Sequence, residues 1–250
     1  MLRGLGREAE HWHDLPERLG RTLGLGEGSV VCLDLPGTGS ERRRPAPWTI
    51  ARTVADLRRR WLPLRGQVDV EWGILGISMG GMLALEWAHR HPKELAAVVV
   101  INASDRQSGT WVERLRWQAV PLMLRIALAR NLRRREELVL DLTTTTLAGD
   151  HRAEILEERI GMARRNPIPP MAVVRQLVAA AFWTAPASIR PPVVFLGADG
   201  DRMVSPRCSH RLAKRLGGPI FAHPEGGHDL PLDDPGWVCN HVRDSFGQAI

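Results

Sequence analysis

The sequence predicts an α/β protein, a mostly parallel sheet with flanking helices and a helical insertion. Three observations carry this. Short apolar runs alternate with stretches of helical periodicity up to Ile101 and again near the end of the chain, the order expected when helices connect parallel strands. The run Leu95 to Ile101 is apolar throughout and rich in valine, the composition of a strand covered on both faces. Between Ser104 and Ile189 no strand-like run occurs, while helical patterns recur.

Taken in order, Glu8 to Gly20 reads as a helix ending at a glycine. Ser29 to Asp34 is an apolar run halted by Pro36-Gly37, so a buried strand and turn are expected. Thr49 to Leu64 is helical, Val68 to Ile77 strand-like, and Met79 to His91 helical with Pro92 as a stop. After Leu95 to Ile101 come helical patterns near 111–130, 134–147, 151–164 and 168–182, with Pro121 starting a new helix or kinking the old one. Pro192 to Leu196 and the shorter Pro219 to Phe221 are strand-like, and Asp234 to Ala249 is a closing helix. No internal repeat or low-complexity tract is present.

At 250 residues, 44% hydrophobic and 25% charged, the chain suits one ordinary domain with an insertion. It has no apolar stretch of about 18 residues, the length a spanning helix needs. The N-terminus lacks a signal-peptide core, and three widely spaced cysteines, Cys32, Cys208 and Cys239, do not form a disulfide framework. A reducing, cytoplasmic location is expected. Net charge is +6, and Trp111 to Arg135 holds seven arginines against one glutamate. One segment thus matches the whole surplus, and no nucleic-acid-binding motif accompanies it, so nucleic acid is not an expected partner. No His, Cys, Asp or Glu cluster has metal-ligand spacing, and neither a metal nor a cofactor is expected.

Gly76-Ile77-Ser78-Met79-Gly80 is G-x-S-x-G between a strand and a helix. A turn so tight needs small flanking residues and pushes the serine hydroxyl into the open, at a helix N-terminus that favours negative charge. The alternative is a glycine-rich turn that happens to hold a serine. Ser78 needs a base. Of nine histidines, only His228 follows two glycines in a loop after the last strand. A carboxylate must orient that base. Asp201, after the strand ending at Leu196, is the candidate, with Asp199 its near rival. Pro36-Gly37-Thr38-Gly39-Ser40 is glycine-rich but lacks the ending of a phosphate loop.

These residues, in the order Ser, Asp, His, resemble the α/β-hydrolase fold superfamily from the first residues to the last helix. Asp34-Leu35-Pro36-Gly37-Thr38-Gly39-Ser40 resembles that family's turn after its fourth strand. Asp201-Arg202-Met203-Val204 resembles its acid loop, and Gly227-His228 with Asp233-Asp234-Pro235 its histidine loop. The resemblance implies an oxyanion hole from the backbone amides of Leu5 and Met79. Where the family has His-Gly-x, this chain has Arg3-Gly4-Leu5, a change that alters the hydrogen bonds shaping the loop or leaves a plain surface arginine. It also implies that residues 104–189 form a helical cap over a core of residues 1–103 and 190–250.

The resemblance raises one difficulty. The family's third strand lies between its fourth and fifth, and only Met1-Leu2-Arg3 stands at that place. A gap inside the sheet is expected unless the natural chain starts upstream.

The expected activity is a serine hydrolase cleaving a carboxylic ester through an acyl-enzyme, with the substrate a small molecule. An acyltransferase on the same fold is an alternative, as is a non-catalytic α/β-hydrolase-like binding protein, since one fold hosts many activities. The Arg-rich cap allows lesser readings in which it meets a membrane surface or an acidic carrier.

Overall fold

The computed structural model describes residues 1–66 and 70–247. Four strands, β1 (Gly73–Ile77), β2 (Ala97–Ile101), β3 (Val193–Ala198) and β4 (Ile220–His223), form one sheet in the order β1-β2-β3-β4. All neighbours are parallel, with Leu75 opposite Val99 and Val100 opposite Phe195. Ordered strands in sequence order need helical crossovers, which the intervening helical periodicity supplies.

Alternation along each strand divides the core in two. Ile74, Val98, Val100 and Phe195 pack with α2 (Ile50–Arg65), α3 (Met79–Arg90) and α9 (Pro206–Leu216) on one face. Leu75, Ile77, Val99 and Leu196 pack on the other with α1 (Leu15–Thr22) and α11 (Pro235–Gly247). Every residue of β2 is buried, as its valine-rich composition predicts.

Between β2 and β3 come α4 (Trp111–Arg114), α5 (Val120–Leu128), α6 (Leu132–Thr143), α7 (Gly149–Arg165) and α8 (Pro170–Phe182). The helix expected over 111–130 is thus three pieces, with a 3-10 turn at Trp117–Ala119. The break follows from Pro121, which sits in the first turn of α5, where its missing N–H leaves no hydrogen bond unmade. A small apolar cluster of Leu140, Ile155, Leu156 and Ile160 joins α6 and α7 to Leu232 of α10 (Leu230–Asp233).

Three further expectations change. The helix over 8–20 begins as a 3-10 turn, Ala9–Trp12, and becomes α1 only at Leu15. The strand over Val68 to Ile77 is confined to Gly73–Ile77, and residues 67–69 lie outside the described residues, as do 248–250 at the end of the closing helix. Ser29 to Asp34 is no strand, and its ladder reduces to one bridge between Leu33 and Leu2. A strand exists by pairing, and among the described residues only Met1 and Leu2 lie against this segment, Leu33 N–H donating to Met1 O at 3.2 Å while Leu2 bridges Gly76 on its other side. Leu2 N–H donates to Leu75 O at 2.9 Å and Leu2 O accepts from Ile77 N–H at 3.1 Å. Below Leu2 the slot between Val31 and Ile74 opens into an apolar cavity of about 390 Å³.

Candidate active site

Ser78 stands between β1 and α3 with φ 56° and ψ −121°, a region that side chains other than glycine avoid. The flanking glycines explain how the turn closes. A Cβ at Gly76 would meet Gly80 O at 2.1 Å, and one at Gly80 would meet Leu2 O at 2.1 Å. A Cβ at Gly4 would touch Ser78 Cβ at 3.1 Å, so the loop Arg3–Gly6 lies directly against the serine. Ser78 itself is partly exposed, on a cavity of about 540 Å³ that His228 also lines.

His228 Nδ1 lies 2.7 Å from Asp201 Oδ2. Asp201 is 1% exposed, and its other oxygen accepts from the amides of Met203 and Val204 at 2.8 and 2.9 Å. Asp199, the rival, is exposed. Burial works against the charged imidazole, but Asp201's charge and hydrogen bond outweigh it and hold the His228 pKa above its ordinary 6.5. No hydrogen bond joins Ser78 Oγ to the imidazole among the described residues. The amides of Leu5 and Met79 face no internal acceptor among the described residues. Met79 is the first residue of α3, where an N–H has no partner within the helix.

The histidine loop is fixed by groups that sequence reasoning missed. Asn102, in the left-handed region at φ 46°, ends β2 and donates to the carbonyls of Gly227 and His228 at 3.1 and 3.0 Å. A polar residue closing an otherwise apolar buried strand was its signal in the sequence. Asp229 N–H donates to Thr143 O at 2.7 Å, tying the loop to α6. Arg3 is no surface residue. It is 3% exposed, lies over the Trp12 ring, and binds Asp229 with two parallel hydrogen bonds of 2.9 and 2.7 Å. Burial opposes the Asp229 charge, but Arg3 overcomes it and holds the carboxyl at about 2. The Asp34 carboxylate likewise closes its turn, accepting from Ala9 and Ser40 amides at 2.7 and 2.8 Å.

One wall of the cavity carries Arg7, His11, Arg135 and Glu136. Burial, and then the neighbouring Arg159, lower the Arg7 guanidinium to about 9. Burial and Arg7 also push His11 well below 6.5, so it is neutral near pH 7. Among the described residues, no group of three His, Cys, Asp or Glu stands close enough to hold a metal.

The model of the Alpha/beta hydrolase family matches residues 1–241. The chain belongs to that family. Its fold agrees with solved members. A thermophilic esterase from Thermogutta terrifontis superposes with a TM-score of 0.71 at 19% identity, covering 99% of this chain and 88% of that one. A hydrolase from Pseudomonas aeruginosa gives 0.72 at 19%, covering 98% and 88%. At such identities the likeness speaks for the fold alone. Among curated relatives, a pimeloyl-[acyl-carrier protein] methyl ester esterase of Chromobacterium violaceum is 38% identical over 85 residues, 33% of this chain and 30% of the relative. A homoserine O-acetyltransferase of Natronomonas pharaonis is 30% identical over 112 residues, 40% of this chain and 28% of the relative. The matched stretches thus span less than half of either relative. Family membership and esterase-named relatives support a hydrolase activity. No described helix is long and apolar enough to cross a membrane.

Proposed function

We propose that this hydrolase cleaves a carboxylic ester of a small molecule through an acyl-enzyme on Ser78. The single observation that carries the reading is the Asp201–His228 hydrogen bond of 2.7 Å, opening on the same cavity as a serine in a strained turn. Ser78 Oγ attacks the ester carbonyl as His228 Nε2 takes its proton. The amides of Leu5 and Met79 receive the developing oxyanion. His228 returns the proton to the departing alcohol, leaving the acyl group on Ser78. Water then attacks, His228 takes its proton, and the acid leaves as Ser78 Oγ is reprotonated. Asp201 keeps the Nδ1 proton in place and stabilises the imidazolium. The serine–imidazole contact forms when substrate displaces water, a tightening common to such sites. Three unbridged cysteines favour the cytoplasm as its location.

Acyl transfer is the second reading, favoured by relatives named homoserine O-acetyltransferase. It shares every step up to the acyl-enzyme and differs in the acceptor. Rapid mixing with p-nitrophenyl butyrate tests the first half. The expected result is a burst of nitrophenolate equal to the enzyme concentration, absent in Ser78→Ala. Equal turnover by Ser78→Ala would refute the assignment. Partition of the acyl group between water and added alcohols separates hydrolysis from transfer.

A further inference from the structure

Two loops must meet at Ser78 for the proposed reaction. Arg3 to Gly6 presents the Leu5 amide, and Gly226 to Asp229 carries His228. The first lies directly on the nucleophile, since a Cβ at Gly4 would stand 3.6 Å from Ser78 Oγ. Its far end is anchored where Gly6 N–H donates to Gln176 Oε1 at 2.9 Å, and Gln176 is buried in α8. The second is anchored by Asn102 at the end of β2. These anchors stand on different elements, so neither fixes one loop relative to the other.

That relation comes from Arg3. Its Nη1 and Nη2 donate to Oδ1 and Oδ2 of Asp229 at 2.9 and 2.7 Å, and both side chains are buried. Among the described residues the two loops share no other hydrogen bond. Arg159 and Arg7 also act on Asp229 through their charge, but neither donates to it among the described residues. The Arg3 guanidinium rests on the buried Trp12 ring, 4.7 Å from its centroid, so the fork has one place to stand. Two parallel bonds resist sliding and twisting, which a single bond does not. Arg3 adjoins Gly4-Leu5 and Asp229 adjoins His228. Movement at the pair is therefore passed to the amide donor and to the base together.

We propose that Arg3 is a positioning residue, whose fork on Asp229 sets the Leu5 amide and the His228 imidazole in one register about Ser78. The proposal rests on Ser78 being the nucleophile. Displacing such groups by about 1 Å costs on the order of 10²-fold. Butylboronic acid tests the register. Its boron accepts Ser78 Oγ, the hydroxyl proton passes to His228 Nε2, and the tetrahedral anion that results needs both groups in place. Its inhibition constant, and KM for p-nitrophenyl butyrate, report only on folded, active molecules, so neither moves when a variant merely unfolds in part. Arg3→Lys keeps the charge but loses the fork, and its inhibition constant should rise about tenfold or more while KM stays within about threefold. In Arg3→Met combined with Asp229→Leu, where neither charge of the pair is left stranded, the rise should reach about a hundredfold. The lysine variant decides if the double variant does not fold. An inhibition constant within about threefold of wild type in either folded variant, or a rise matched by KM, overturns the proposal. Fluorophosphonate labelling separates the two ways of failing. A wild type labelled on Ser78 and inhibited by the boronic acid, with variants that match it, refutes the positioning alone. An unlabelled and uninhibited wild type removes the nucleophile as well.

Discussion

Asp201 bonds through both oxygens, one to the imidazole and the other to two amides that fix the carboxylate. Asp201→Asn keeps the shape but can donate to Nδ1, which favours the wrong tautomer. Ester turnover should fall by roughly 10⁴-fold, as triad carboxylates do elsewhere. The base must be neutral to act. Because Asp201 raises the His228 pKa above 6.5, kcat/KM should rise with pH through a midpoint above 6.5. In Asp201→Asn that midpoint should move down. An unmoved midpoint would deny Asp201 its role. The Arg3–Asp229 pair has a different signature. The Asp229 pKa lies below its unfolded value, so the ion pair stabilises the fold above both values. That contribution is lost as pH falls from about 4 toward 2. Arg3→Met strands a buried carboxylate, for which a loss of about 3–5 kcal/mol near pH 7 is expected by denaturant unfolding. Ser78, Asp201 and His228 could be picked out as candidates because each sits in a short motif with its own local chemistry, and the structure places Asp201 against His228 and lines one cavity with His228 and Ser78. Arg3 was not, since its partner lies 226 residues away and only the folded chain brings them together.

Among the elements, the turn from β1 into α3 was the most legible, because its glycines are required by contact. A methyl group at Gly76 would press on the backbone of Gly80 at 2.1 Å, whereas at Gly81 it would meet the Val100 side chain at 2.9 Å. A side chain can shift where backbone cannot. Gly76→Ala should therefore lower the melting temperature and ester turnover far more than Gly81→Ala, and comparable losses would contradict the packing. Ser29 to Asp34 misled for a related reason. Its apolar pattern signals burial, which Val31, Cys32 and Leu33 partly have, but a strand also needs a neighbour over its length, and among the described residues only Met1 and Leu2 lie against it. Pattern reports what a residue touches, not how many partners the backbone finds. The insertion's helices were legible in number but not in continuity. Their apolar faces show where they pack and Pro121 marks where α5 starts, whereas the path of the chain before it depends on Arg116, whose amide and side chain donate to Met203 O and Asp201 O.

Over the whole molecule, the charge surplus concentrated between Trp111 and Arg135 looks different once folded. Arg114 donates to the carbonyls of Ala180 and Ala181, Arg116 to Asp201 O, and Arg133 and Arg134 pair with Glu157 and Glu137. Most of the surplus is thus bound up in the fold. Trp111, Trp117 and Leu128 are nonetheless well exposed. Binding to anionic vesicles should be weak at about 0.02 M salt and gone by about 0.15 M, where screening is strong. Retention at the higher salt in co-sedimentation would show that this segment meets a membrane surface after all. The parallel order of the sheet was readable from alternation, because each parallel pair needs a crossover between its strands. The most direct measurement is peptide mapping after reaction with a fluorophosphonate. One adduct per chain on Ser78, lost in His228→Ala, is the expected result. No adduct, or one on another serine, would contradict it.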